Sequence, residues 1–70
     1  MAEVRAEMVA NVWKVLVSEG DHVDVGDTLV ILESMKMEIP ILAEESGTVT
    51  KLHVAEGDVV QEDELIAEIG

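Results

Sequence analysis

Short apolar runs and alternating segments, separated by polar turns, occupy almost the whole chain. Val4, Ala6 and Met8 alternate with Arg5 and Glu7, which predicts a half-buried strand over 4–8. A turn is expected at Ala10-Asn11, then a strand over 12–17 interrupted only by Lys14. Ser18-Glu19-Gly20-Asp21 has turn chemistry, with Gly20 suited to a positive φ. A short stretch from Val23 leads to a second turn at Gly26-Asp27. Residues 28–32 and 39–43 are apolar, rich in β-branched side chains and too short for helices, so both predict buried strands. A polar turn follows at 44–47, a strand at 48–54, a turn at Glu56-Gly57-Asp58 and a last strand at 65–69. No helical period of useful length appears.

The pattern repeats. Gly57 follows Gly20 by 37 positions. At that offset Val12 meets Val49, Lys14 meets Lys51, Val17 meets Val54 and Val23 meets Val60. Glu19-Gly20-Asp21 meets Glu56-Gly57-Asp58, and Leu29 and Leu32 meet Ile66 and Ile69. Two copies are too few for a solenoid. Two similar half-sheets interlocked around one core, sheet packed on sheet, bury the apolar faces better. The connection after the first half's last strand holds Lys36, and its symmetry mate would be the C-terminus. The lysine is therefore expected at one end of the molecule and both termini at the other.

Seventy residues make one domain, 1–70, with a small core. Phe and Tyr are absent and Trp13 is the single aromatic, so Val, Ile, Leu and Met must build that core. Trp13 is expected in it or partly buried. The absence of cysteine excludes disulfides, thiol catalysis and Cys-based zinc sites, and allows a reducing cytosol. A net charge of −12 excludes non-specific binding to nucleic acid or anionic membrane. No segment resembles a signal peptide or a membrane span. The expected location is cytoplasmic.

The two central strands meet at Met35-Lys36, with Ser34 opposite Met37 and Glu33 opposite Glu38. A tight two-residue loop wants positive φ at both central positions, which suits Asn-Gly and not Met-Lys. Like charges opposite each other cost stability. Such local rule-breaking marks function. Elsewhere no catalytic set appears. His22 and His53 lie in no metal-binding pattern, the serines lack a nucleophile-elbow context, and the glycines form no phosphate loop. A lone exposed lysine is a poor catalyst but can enter another enzyme's active site, be acylated there and carry the attached group. Met35 and Met37 suit adaptable contacts beside it.

Glu33-Ser34-Met35-Lys36-Met37 resembles the biotin attachment motif of biotin-dependent carboxylases. The resemblance extends over nearly the whole chain, through both Glu-Gly-Asp turns, Gly26-Asp27 and Gly47. The chain resembles the free-standing biotin/lipoyl attachment proteins, which are hardly more than one biotinyl domain. The resemblance implies an all-β flattened barrel, the barrel-sandwich hybrid, of two four-stranded antiparallel sheets with quasi-twofold symmetry. It further implies that Lys36 is biotinylated by a biotin protein ligase using ATP. The attached biotin would shuttle carboxyl groups between biotin carboxylase and carboxyltransferase sites, without catalysis by the chain itself. Met35 and Met37 would be the flanking methionines, important for ligase recognition and cofactor behaviour, and Glu33 would take part in ligase choice. Ser34 stands where the commoner family motif has Ala. Only 18–25 separates the strands where some members insert a thumb, so thumb contacts are not expected. Two other readings remain: a lipoyl carrier, which usually has Asp before the lysine and Ala or Val after it, and an unmodified structural or adaptor hybrid domain.

Overall fold

The computed structural model describes residues 2–70 and shows eight strands and no helix among them. These are β1 (Ala2–Arg5), β2 (Ala10–Val15), β3 (His22–Val23), β4 (Thr28–Ser34), β5 (Met37–Leu42), β6 (Gly47–Leu52), β7 (Val59–Val60) and β8 (Leu65–Ile69). They form two four-stranded sheets, in the orders β1-β8-β6-β3 and β5-β4-β2-β7. Every pairing is antiparallel. The body measures 31 × 17 × 17 Å, and its two sheets form the barrel-sandwich with an internal twofold.

The 37-residue offset carries β2 onto β6 and β3 onto β7 without remainder. Exchanging β1 with β5, β2 with β6, β3 with β7 and β4 with β8 converts one sheet order into the other. Only the β2–β4 and β6–β8 pairings join strands of the same half; the other four cross between halves. Neither half can therefore complete a sheet alone.

The core obeys the same symmetry. Val12 and Val49, Val23 and Val60, and Leu29 and Ile66 are all fully buried. Leu29 and Val30 are buried consecutively, as are Ile66 and Ala67. Simple alternation forbids that. Register shifts at Leu29 and Ile66, which are left unpaired with β5 and β1, account for it, because each bulge turns an extra side chain inward.

The Glu-Gly-Asp turns clasp the halves together. Gly20 (φ 94°) and Gly57 (φ 96°) adopt the left-handed conformation, where a side chain is disfavoured. Their N–H groups donate to the carbonyls of Val49 (2.8 Å) and Val12 (2.9 Å) in the opposite half. The Asp21 carboxylate accepts from Ser18 N–H (2.8 Å), and Asp58 likewise from Ala55 N–H (2.9 Å), closing each turn. The Glu19 carboxylate accepts from Leu52 N–H (3.0 Å), and Glu56 from Val15 N–H (3.1 Å). Each residue of the repeated tripeptide thus has its own structural task.

Several boundaries differ from the sequence expectation. The first strand ends at Arg5. Ala6 is buried, but Met8 is 36% exposed in the connection to β2. That connection occupies the turn expected at Ala10-Asn11; Ala10 is instead buried and pairs with Val60. The strands expected to reach Val17 and Val54 stop at Val15 and Leu52, where the chain leaves the ladder for the clasp turns. The strand β7 was not expected, because two residues show no period. Its turn partner Asp63 has φ 68° at the position equivalent to Gly26 (φ 92°), so one repeat uses Asp where the other uses Gly.

Replacing Glu19 or Glu56 by Ala is expected to lower stability by about 1 kcal/mol each, the usual net worth of one such hydrogen bond. Urea denaturation midpoints measure this; unchanged midpoints would show that the carboxylates do not clasp the halves.

Candidate functional site

The β4–β5 ladder runs unbroken from Val30–Ile41 to Ser34–Met37. It includes Leu32–Ile39 and the expected Glu33–Glu38 pair. Leu32 is fully buried, so the base of the hairpin is anchored in the core. The loop is Met35-Lys36, with φ of 52° and 65°. Two successive left-handed residues give the primed turn whose twist matches the strands. For residues with a Cβ this costs roughly 1–2 kcal/mol each. The ladder on either side holds the turn in place against that cost.

The loop projects both neighbours of Lys36 into solvent. Met35 is 90% exposed and Met37 60% exposed. Lys36 is exposed as well, while Glu33 and Ser34 are half-buried. Met37 is mostly exposed although it faces the same way as Leu32 and Ile39.

No ion pair or hydrogen bond involving the Lys36 side chain occurs among the described residues. Of Arg5, Lys14 and Lys51, Arg5 alone makes an ion pair or hydrogen bond among the described residues. Arg5 binds Glu3 (3.0 Å) and the Asp63 carbonyl (2.9 Å), and its acidity is weakened further by the Glu3 carboxylate beside it. Lys14 lies 5.5 Å from the Trp13 ring centroid, within cation–π range. Lys51 is in register with Glu68.

Cross-strand pairing places Glu38, Glu33, Asn11 and Val59 in one row across the hairpin sheet. Two of these four are carboxylates, so the approach to the tip from this face is acidic. Trp13, expected in or near the core, is 41% exposed on β2. It lies at the register shift between Val12 and Lys14, and its indole packs with the lysine beside it. No isolated sequence signal reveals such a bulge.

A groove of about 530 Å³ lies between the edge strands β1 and β5, with Val4, Ile39 and Ile41 in its lining, and it includes none of residues 33–37. His22 pairs with Asp24 (3.2 Å) and His53 with Glu68 (2.9 Å). No group of three potential metal ligands occurs among the described residues. The arrangement presents an exposed amine at the hairpin tip.

Substituting Asn-Gly for Met35-Lys36 should stabilise the protein by roughly 1–3 kcal/mol, because both residues tolerate the left-handed turn. Thermal or urea denaturation of the double variant tests this. A loss of stability would show that Met35 or Lys36 contributes packing that the geometry does not reveal.

Comparison with known proteins agrees with this architecture. A family model described as "Biotin-requiring enzyme" matches residues 2–69. The "Biotinylated protein TB7.3 homolog" of Mycobacterium leprae is 61% identical over 70 residues, 99% of each chain. The "Biotin/lipoyl attachment protein" of Bacillus subtilis is 47% identical, covering 94% of this chain and 90% of its own. The crystal structure of Kluyveromyces lactis urea carboxylase superposes with a TM-score of 0.91 at 36% identity. That match covers 99% of this chain but 6% of the carboxylase. With its fold, its repeat and a match spanning residues 2–69, the chain belongs to the biotin/lipoyl family of biotin-requiring enzymes.

Proposed function

We propose that residues 1–70 form one biotinyl domain that acts as a biotin carboxyl carrier, with Lys36 as its attachment point. The observation that carries this reading is an exposed lysine without a side-chain partner on a left-handed turn, flanked by two exposed methionines. The 61% identity to a relative named as biotinylated supports biotin as the group attached. The residues present fit that group: a free primary amine on a rigid projection can form an amide with a carboxylic acid. Biotin, once bound, supplies the capacity to accept and release a carboxyl group.

The chain's own contribution is presentation. The β4–β5 ladder fixes the base of the arm, and the primed turn leaves Lys36 exposed at its end. Without a hydrogen bond or ion pair among the described residues, the amine is available to a partner. Met35 and Met37 offer polarizable surface beside it, and Glu33 and Ser34 form the half-buried shoulder that a ligase would contact. Biotin protein ligase would form the amide from biotin and the amine at the expense of ATP, which points to the cytoplasm as the site of modification. Biotin carboxylase and carboxyltransferase components would be the later partners. In this reading they hold the catalytic groups and the chain does no catalysis alone. The urea carboxylase match supports carboxylases as the class of partner. Lipoylation is the competing modification on this fold; the methionine on both sides of Lys36 favours biotin.

Intact mass after incubation with biotin protein ligase, ATP and biotin tests the site. Wild type is expected to gain one biotinyl group and Lys36→Arg none, with the same urea midpoint. Labelling of Lys36→Arg would sink the site assignment. On a native gel the modified protein should run as one unit more negative than its formal −12, because the amide removes one lysine charge.

A further inference from the structure

We propose that Met35 and Met37 form a peroxide-modification site that controls whether Lys36 is accepted for attachment. This rests on the reading that Lys36 is biotinylated. The chain has no cysteine, so its oxidisable sulfur is confined to four methionines, Met1, Met8, Met35 and Met37. Met35 and Met37 are 90% and 60% exposed, against 36% for Met8. The two most exposed of these three thioethers therefore flank the functional lysine. The turn enforces this: both of its residues have positive φ, and Met37 is the first ladder residue beyond it, opposite Ser34.

The chemistry balances with hydrogen peroxide as the oxidant. The methionine sulfur lone pair attacks one peroxide oxygen and the O–O bond breaks. Sulfur is oxidised by two electrons to the sulfoxide, the peroxide is reduced, and water leaves after proton transfer. Peroxide is neutral, so the formal −12 of the chain does not repel it.

The product replaces an adaptable apolar contact by a polar, chiral one. At this site the change falls on recognition and spares the core. Leu32 and the other large buried side chains lie below the tip and include no methionine. A ligase surface shaped for the thioethers must instead bury a sulfoxide oxygen without a partner, which weakens acceptance by about tenfold or more. Methionine sulfoxide reductases reverse the change.

The test uses unmodified protein. It is exposed to graded hydrogen peroxide, cleared with catalase, mapped by peptide mass, and then given ligase, ATP and biotin. The expected result is oxidation of Met35 and Met37 before Met8, an unchanged urea midpoint, and a biotinylation rate reduced about tenfold or more. Treatment with both reductases should restore the rate. The Met35→Leu/Met37→Leu variant, whatever its starting rate, should keep that rate through the same peroxide treatment. An unchanged rate on protein oxidised at both methionines would overturn the proposal, as would a loss that tracks Met8 or persists in the leucine variant. Failure of the untreated wild type to accept biotin would instead refute the attachment reading, and this proposal with it.

Discussion

The two halves of this protein are held by reciprocal strand pairing, and every other feature depends on that exchange. Four of the six strand pairings join one half to the other. A small β-chain without aromatic core residues has few other means of stability. Interlocking lets residues such as Val12, Leu29, Val49 and Ile66 fill one core from both halves. The Glu-Gly-Asp turns secure the corners of this exchange by bonding across it.

The Met35-Lys36 turn is the covalent link between the halves. In this it differs from every other turn in the fold. The clasp turns recur at the 37-residue offset and bond across to the opposite half, whereas this turn joins the halves directly. The Asn11–Glu33 pairing brings the β1–β2 connection to the hairpin's end of the molecule. Ala2 and Ile69 pair at the opposite ends of β1 and β8. One end of an otherwise symmetric body thereby becomes unique. The energetic cost of two left-handed residues and of the Glu33–Glu38 pair is confined to this link. A well-formed ladder tolerates such strain, and strain of this kind collects at functional sites.

The hairpin tip is the exposed end of a small body. Lys36 stands there with Met35, Met37 and Glu38 exposed around it and Glu33 half-buried. The two methionines form exposed apolar surface on either side of the lysine. That position leaves their sulfur open to solvent. The proposed carrier role asks no more of the body than this presentation.

By itself the sequence determined the β-class, the two-half repeat, the strands on either side of Lys36 and the register at its tip. Apolar periodicity and a repeated tripeptide are local signals, and a two-residue loop leaves only one pairing for its neighbours. Only the tertiary structure decided the sheet orders, in which each half lends strands to the other, since pairing partners are chosen by the packing of both halves at once. It also decided the bulges that bury Leu29 with Val30, the two-residue strand β7, and the outward place of Trp13. Each of these depends on a distant neighbour: Ala10 must meet Val60 before either reads as strand. The same holds for the Glu19 and Glu56 carboxylates, whose role appears only when Leu52 and Val15 of the opposite half come within hydrogen-bonding distance.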